Sequence, residues 1–164
     1  MNPQYWEDVQ IGIKRELGQY TFTEEEIIRF GRKYDPQPFH VDPEAAKSSI
    51  FGGLIASGWH TAAIWMKLAI AERANSAGKS PLLRAGVSPG YEDMRWLKPV
   101  RPGMTLKFSS EICGKTELRS RPEMGIVLTR NEARDDKGAL VFHFTGKSFV
   151  QRRPKPEHSS QASV

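Results

Sequence analysis

Residues 51–76 read FGGLIASGWHTAAIWMKLAIAERANS, a glycine-rich loop followed by the longest helical pattern in the chain. The side chains at the i, i+3, i+4 and i+7 positions of one helix face are apolar: Trp59, Ala62, Ala63, Met66, Ala69 and Ile70. The alanines allow close packing, so we expect this face to lie against a sheet. The segment therefore predicts a helix from about Gly58 to Ser76, with Gly78 at its C-terminal cap.

The chain after this helix changes to a two-residue apolar period, which is typical of half-buried strands. The predicted strands are Leu83–Val87, Tyr91–Trp96, Thr105–Lys115, Gly125–Arg134 and Leu140–Gln151. A long helix against an antiparallel sheet of about five strands is an α+β fold.

The residues before the glycine-rich loop predict a strand and two helices. Ile13–Phe22 is moderately β-prone, and Thr23 with the three glutamates after it forms a capping box that starts a helix. Asp35-Pro36-Gln37-Pro38 ends that helix, because each proline favours extended geometry in the residue before it. A short helix is expected from Asp42-Pro43, with Asp42 as the N-cap.

Length and composition narrow the class of protein. The chain has 164 residues, of which 38% are hydrophobic, and this length predicts one domain, which we place at residues 1–151. No run of about 18 apolar residues and no signal-like N-terminus occur, so we expect neither a membrane span nor a secretory leader. The single cysteine, Cys113, excludes an intrachain disulfide and favours a reducing, cytoplasmic setting.

The net charge of +5 does not by itself identify a partner. Part of the excess lies in residues 152–164, a polar basic segment that predicts a disordered tail. Without that segment the remaining charge is too small to indicate a nucleic-acid partner.

The segment Asp35-Pro36-Gln37-Pro38-Phe39-His40 carries the first candidate chemistry. Two prolines restrict the backbone, so a rigid extended loop presents a carboxyl group and an imidazole five residues apart. Such a pair can hold one water between two proton-transfer groups, which reversible addition of water to a double bond requires. A simple helix stop, with Asp35 in the turn and His40 at the surface, explains the same residues.

Gly58 supplies the second candidate feature. Its backbone N–H is one of the free donors at the start of the long helix, and with the helix dipole it can polarise a carbonyl group. Alternatively, Gly52, Gly53 and Gly58 only permit tight turns and close packing.

These segments, in this order, resemble the MaoC-like dehydratases, the R-specific enoyl-CoA hydratases of the hot dog fold. The motif of that family is Asp, any residue, Asn-Pro, an aliphatic residue and His, followed by a short helix and a glycine-rich loop into the central helix. The matching stretches here are Tyr34-Asp35-Pro36-Gln37-Pro38-Phe39-His40, Phe51-Gly52-Gly53-Leu54-Ile55-Ala56-Ser57-Gly58 and, after the central helix, Arg95-Trp96-Leu97-Lys98-Pro99-Val100-Arg101-Pro102-Gly103. The resemblance covers about residues 5–151 and implies one hot dog unit, a long central helix wrapped by the sheet.

The resemblance implies roles for individual residues. It places the catalytic aspartate at Asp35, the catalytic histidine at His40 and the oxyanion-hole glycine at Gly58. Gln37 stands where the family usually has Asn, and Met66 where some hydratases have serine. Substrate contacts are expected from Gln37, Phe39, Phe51, Gly53, Ser57 and Arg84.

The implied reaction is the R-specific hydration of a trans-2-enoyl-CoA to an R-3-hydroxyacyl-CoA, or the reverse dehydration. The CoA phosphates are expected to meet one or more of Arg84, Lys98, Arg101 and Lys107. No P-loop or dinucleotide motif occurs, so no cofactor is expected beyond the CoA of the substrate. A metal held by His40, Asp42 and His60 is disfavoured, because the spacing of the third ligand is unconvincing.

The resemblance also implies an assembly. A single hot dog unit leaves one sheet edge exposed, and the family resolves this by dimerising, so a homodimer or a dimer of dimers is expected. Two other functions stay open at this point, an acyl-CoA thioesterase of the hot dog fold and a non-catalytic acyl-CoA-binding member.

Overall fold

The computed structural model describes residues 5–76 and 87–154. Its regular elements are β1 (Lys14–Thr21), α1 (Glu24–Tyr34), α2 (Pro38–Val41), α3 (Pro43–Lys47), α4 (Gly58–Asn75), β2 (Gly90–Trp96), β3 (Thr105–Glu117), β4 (Met124–Arg134) and β5 (Leu140–Gln151). The predicted cap Gly78, the predicted site residue Arg84 and residues 83–86 of one predicted strand lie outside the described residues. No helix within the described ranges is long and apolar enough to cross a membrane.

The five strands form one antiparallel sheet in the order β1-β3-β4-β5-β2. The central strands β3, β4 and β5 are long and pair along most of their length, whereas β1 and β2 are the edges. The strand β2 pairs with β5 on one side, and no strand of the described ranges pairs with its other side. The predicted α+β architecture, a single hot dog with a long helix and a five-stranded antiparallel sheet, is confirmed.

The main core lies between α4 and the concave side of the sheet. The strands β3 and β5 contribute Phe108, Phe142 and Phe144, each with at most 1% of its surface exposed. Ile64 of α4 and Ile27 of α1 pack into the same cluster. Burial of large apolar side chains of this kind stabilises a fold by about 2 kcal/mol each, so this cluster holds the helix on the sheet.

The predicted sheet-facing side of α4 is wrong for four of its six residues, since only Ala62 and Ala69 pack against the core. Three residues of another face, His60, Thr61 and Ile64, are buried. The surface instead carries Trp59 (62% exposed), Met66 (41%) and Ile70 (57%). The first fourteen positions of α4 carry one charged side chain, Lys67, so apolar spacing alone does not distinguish the buried face from the exposed one. We call the exposed residues Trp59, Ala63, Met66 and Ile70 the outer α4 face.

The predicted extended path from Asp35 to His40 is wrong at its second half. Pro38–Val41 forms one helical turn, α2, with Gln37 as its N-cap and Pro38 at the first helical position. A proline suits that position because its missing N–H has no partner to lose there. His40 lies in this turn with 4% of its surface exposed, so it is not a surface histidine.

The N-terminal arm, residues 5–9, packs on the sheet in a second, smaller core cluster with Val127 and Val150. The Trp6 ring lies between the Lys115 ammonium and the Arg152 guanidinium, at 4.6 and 5.0 Å from the ring centre. Arg152 and Arg153, which the sequence assigns to a tail, bind the carboxylates of Glu7 and Asp8. The remaining tail, residues 155–164, lies outside the described residues.

Candidate active site

Asp35 follows the last residue of α1, where Pro36 stops the helix. Its carboxylate accepts hydrogen bonds from two uncharged side chains. Gln37 Nε2 donates to Oδ1 at 2.8 Å, and Ser57 Oγ donates to Oδ2 at 2.7 Å. Burial acts to raise the pKa of Asp35, but the bonds from Gln37 and Ser57 and the neighbouring His40 ring outweigh it and hold this pKa below its ordinary value. The Asp35 carboxyl group is therefore an anion at neutral pH.

The His40 ring lies between a backbone carbonyl and Asp35. His40 Nδ1 is 2.8 Å from the Ile55 oxygen, and because a carbonyl only accepts, we assign the hydrogen of the neutral ring to Nδ1. His40 Nε2 lies 3.3 Å from Asp35 Oδ2. Neutral His40 presents its Nε2 lone pair there and protonated His40 donates from it, so this nitrogen can take up and release a proton.

The loop that carries the Ile55 carbonyl is fixed from both sides. Ile55 N–H donates to the Phe39 carbonyl at 3.1 Å, and Ala56 N–H donates to the Val100 carbonyl at 2.8 Å. Residues 54–57 are buried, so this loop is a rigid bridge between α2 and the segment that follows β2. The orientation of His40 thus depends on residues that are distant in the sequence.

Gly58 is the first residue of α4, and Ser57 is the N-cap. Within the described part of the chain no acceptor binds the Gly58 N–H, which is one of the free donors of a helix N-terminus. Trp96 Nε1 donates to the Gly58 carbonyl at 2.9 Å, and a Cβ at position 58 would lie 2.7 Å from Trp96 Cε2. Glycine is needed at position 58 because the Trp96 ring occupies the space that a side chain would take. Backbone conformation is not the reason, since the φ angle of Gly58 is outside the left-handed region.

One cavity of about 470 Å³ joins these groups. Asp35, His40 and Gly58 all line it, and so do four of the residues predicted to contact substrate: Gln37, Phe39, Phe51 and Ser57. Gly53 does not line the cavity. The structure adds apolar wall residues that the sequence did not single out as site residues: Ile55, Trp59, Trp96, Leu97 and Val100.

Two pairs of aromatic rings form part of the cavity wall. Phe39 and Phe51 meet edge to face at 5.2 Å between ring centres, and Trp59 and Trp96 do so at 5.6 Å. The cavity thus combines an apolar wall with a few polar groups, which is typical of small-molecule sites.

The candidate cations differ in position. Lys98 lines the cavity, and Arg101 Nη2 donates to the Phe51 carbonyl at 2.6 Å beside it. Lys107 lies on β3, opposite Gln19 of the far edge strand, and is not part of the cavity wall. Among the described candidates, Lys98 and Arg101 are the ones next to the site.

His60 of α4 packs in the core. The His60 ring stacks on Phe30 at 4.6 Å with 5° between the planes, and it meets Phe22 edge to face. Burial lowers the pKa of His60 to about 4, so this ring is neutral. Asp42 caps α3, accepting from the Glu44 and Ala45 nitrogens, as predicted. Across the residues that the structure describes, no three His, Cys, Asp or Glu side chains converge as metal ligands.

Comparison with known proteins identifies the family. The family model described as MaoC like domain matches residues 8–133, and the chain belongs to this MaoC-like family. The solved structure of the MaoC-like dehydratase from Rhodospirillum rubrum has a TM-score of 0.76 and 34% sequence identity. That likeness covers 93% of this chain and 99% of the Rhodospirillum chain.

Two curated relatives share sequence with this chain. The YdeM protein of Bacillus subtilis is 34% identical over 130 residues, which are 79% of this chain and 86% of YdeM. The mesaconyl-CoA hydratase of Cereibacter sphaeroides is 35% identical over 71 residues, which are 43% of this chain. That match covers 20% of the longer Cereibacter enzyme.

Proposed function

We propose that this protein catalyses the R-specific hydration of trans-2-enoyl-CoA to R-3-hydroxyacyl-CoA, or the reverse dehydration. The observation that carries this proposal is the meeting of the Asp35–His40 pair and the free Gly58 N–H in one cavity. Membership of the MaoC-like family supports it, and so does the partial likeness to a mesaconyl-CoA hydratase.

In the proposed reaction, Gly58 acts on the thioester and His40 acts on water. The thioester oxygen accepts a hydrogen bond from the Gly58 N–H, which stabilises the negative charge that develops when C3 is attacked. His40 Nε2 takes one proton from the water as the water oxygen bonds to C3. The protonated ring then returns that proton to C2, so that one water is added across the double bond and the pair is regenerated.

Asp35 has a different part in this reaction. Both of its carboxylate oxygens already accept hydrogen bonds, and its lowered pKa makes it a poor proton carrier at neutral pH. We therefore assign to Asp35 the orientation of the water and the stabilisation of the His40 imidazolium, which lies 3.3 Å away.

The rest of the substrate is placed by the cavity wall. The acyl chain is expected to lie among the aromatic rings of Phe39, Phe51 and Trp96, with Gln37 at the polar end. We assign the CoA phosphates to Lys98, which lines the cavity, and to Arg101, which binds the carbonyl of the wall residue Phe51. Arg101 has no carboxylate partner among the described residues, whereas the Lys98 ammonium lies 3.7 Å from Asp135 Oδ2.

We further propose that the protein acts as a homodimer. The outer α4 face is apolar and exposed next to the cavity wall, since Trp59 belongs to both. The edge strand β2 also reaches the cavity, because Trp96 at its end forms part of the wall, and no described strand pairs with the outer side of β2. A second copy would cover an apolar surface and an open sheet edge together.

The proposed activity is tested with purified protein and crotonyl-CoA. Hydration removes the absorbance of the conjugated enoyl thioester and releases no free thiol. Release of free CoA instead would identify a thioesterase. Absence of both signals over a series of acyl chain lengths, together with acyl-CoA binding, would identify a non-catalytic binding protein.

A further inference from the structure

We propose that Ser57 is a positioning residue, which ties the Asp35 carboxylate to the first turn of α4, and that it is not a ligand of the substrate. This inference rests on the proposed hydratase function and assigns a part in it to a residue outside the Asp35–His40 pair.

The hydrogen bonds of Ser57 are already used within the protein. Its hydroxyl donates its single hydrogen to Asp35 Oδ2 at 2.7 Å, and its oxygen accepts from the Trp59 N–H at 3.3 Å. The residue is 1% exposed although it borders the cavity. The Ser57 hydroxyl therefore has no hydrogen left to donate to a thioester or a hydroxyl group of a substrate.

The bond to Asp35 fixes the rotation of the carboxylate. Gln37 holds Oδ1 and Ser57 holds Oδ2, and Oδ2 is the oxygen that faces His40 Nε2. Without the Ser57 hydroxyl, the bond from Gln37 alone leaves the carboxylate free to turn about its Cβ–Cγ axis. The direction in which Asp35 accepts from a water or from the imidazolium would then be lost.

The same serine precedes the proposed oxyanion donor. Ser57 caps α4 and Gly58 is the first helical residue, so one backbone segment carries both the clamp on Asp35 and the free N–H. Hydration requires the water at C3 and the donor at the thioester oxygen to be held at a fixed separation. The 2.7 Å hydrogen bond from Ser57 to Asp35, together with the peptide bond from Ser57 to Gly58, meets this requirement. Small misplacements of reacting groups are costly in rate.

The charges around Asp35 make the effect of this link measurable. Among the described titratable groups, His40 of α2 is the one that acts on the Asp35 carboxylate, whereas Gln37 and the Ser57 of the α4 cap are neutral. Removing the Ser57 hydroxyl thus removes a donor to the anion and changes no charge. The pKa of Asp35 is then expected to rise, because its ionised form loses one stabilising bond.

Two variants, Ser57→Ala and Ser57→Gly, test the link. Glycine is a tolerated N-cap, so this second variant keeps α4 stable while it lacks the hydroxyl. In both we expect carbon-13 NMR of the carboxyl groups to report an Asp35 titration shifted upward by about one pH unit. We also expect kcat to fall by at least about tenfold with a smaller change in KM, and the acidic limb of the rate profile to move upward with the Asp35 titration.

Two further variants separate the link from helix stability. Ser57→Thr keeps a hydroxyl and should restore the Asp35 titration. Thr23→Ala removes the cap of α1, whose side chain accepts from Glu26 N, and should lower stability without moving the Asp35 titration.

An Asp35 titration that stays at the wild-type value in Ser57→Gly would overturn the proposal, and so would a variant whose KM alone is raised. The NMR titration does not depend on turnover. A wild-type protein without hydratase activity, but with an Asp35 titration that shifts in Ser57→Gly, would therefore contradict the proposed function and still support the link.

Discussion

At the scale of single residues, three atoms define the site: Asp35 Oδ2, His40 Nε2 and the Gly58 nitrogen. They come from the end of α1, from α2 and from the start of α4. Each of these residues is oriented by a hydrogen bond with another part of the chain. Ser57 donates to Asp35, and His40 Nδ1 binds the Ile55 carbonyl. Trp96 donates to the Gly58 carbonyl. The orientation of the Asp35–His40 pair therefore depends on neighbouring residues that have no part in the proposed proton transfer.

Gly58→Ala is expected to damage the site through Trp96. The new Cβ would lie 2.7 Å from Trp96 Cε2, so the ring or the first turn of α4 must move. We expect a loss of about 1–3 kcal/mol in the free energy of unfolding, measured by urea denaturation, and a lower kcat.

A double-mutant cycle with Trp96→Leu provides the control for Gly58→Ala. The smaller side chain removes the clash, so the stability loss of the double variant is expected to be less than the sum of the two single losses. Additive losses would show that Trp96 is not the reason for glycine at this position.

His60 is expected to make folding stability depend on pH. Burial lowers its pKa from 6.5 to about 4 in the folded protein, so the unfolded chain binds this proton first as the pH falls. The contribution of neutral His60 to the free energy of unfolding is fully present above pH 6.5. It is lost as the pH falls from 6.5 to about 4, and the total loss over this range is about 3 kcal/mol. Urea denaturation of wild type and His60→Phe across this range measures it, since the variant should lose less stability. Equal losses in both proteins would assign the pH dependence to other groups.

At the scale of elements, the placement of α2 depends on Gly31 of α1. A Cβ at position 31 would lie 2.8 Å from the His40 carbonyl oxygen and 3.1 Å from His40 Cβ. Gly31→Ala is expected to push α2 and the His40 ring outward, lowering stability by about 1–3 kcal/mol and lowering kcat in the hydration assay. Arg32 is the exposed neighbour of Gly31. Arg32→Ala is the control and should leave stability and kcat nearly unchanged. A fully active Gly31→Ala variant would contradict this role of the α1–α2 contact.

The sequence predicted the elements whose signals are local. Thr23 caps α1 by accepting from Glu26 N, Asp42 caps α3, and α4 begins at Gly58, all as predicted. Each of these signals is contained within a few neighbouring residues. The turn α2 was missed because Pro38 stops one helix and also suits the first position of another.

The arrangement around the candidate site was less predictable than its residues. Asp35 and His40 belong to one short motif, and both line the cavity with Gly58. Their supporting bonds join residues far apart in the sequence: Ser57 lies 22 positions from Asp35, and Trp96 lies 38 positions from Gly58. Such pairs exist only after the sheet and α4 have packed together, and no local pattern encodes them.

At the scale of the whole molecule, the outer α4 face predicts the oligomeric state. We expect a dimer by size-exclusion chromatography with light scattering, and a monomer for Ile70→Glu, because a charge in a buried apolar contact is costly. Arg32→Glu on α1 also introduces a negative charge and should remain dimeric. A monomeric wild type, or a dimeric Ile70→Glu variant, would contradict the proposed use of this face.

Four of the 24 lysines and arginines lie at two different places in the folded molecule. Arg152 and Arg153 join the C-terminal end of β5 to Glu7 and Asp8 of the N-terminal arm, so these two cations hold the chain ends together. Lys98 and Arg101 lie at the cavity instead. Of these four cations, two thus belong to a structural contact and two lie on the proposed CoA-binding side of the site.

The central claim is that the Asp35–His40 pair hydrates an enoyl thioester. The most direct measurement is the rate of crotonyl-CoA hydration by Asp35→Asn relative to wild type, with the configuration of the 3-hydroxy product determined by chiral chromatography. We predict an R product from wild type and a rate reduced by roughly 100-fold to 10,000-fold in folded Asp35→Asn. A variant rate within about tenfold of wild type, or an S product, would contradict the proposed mechanism.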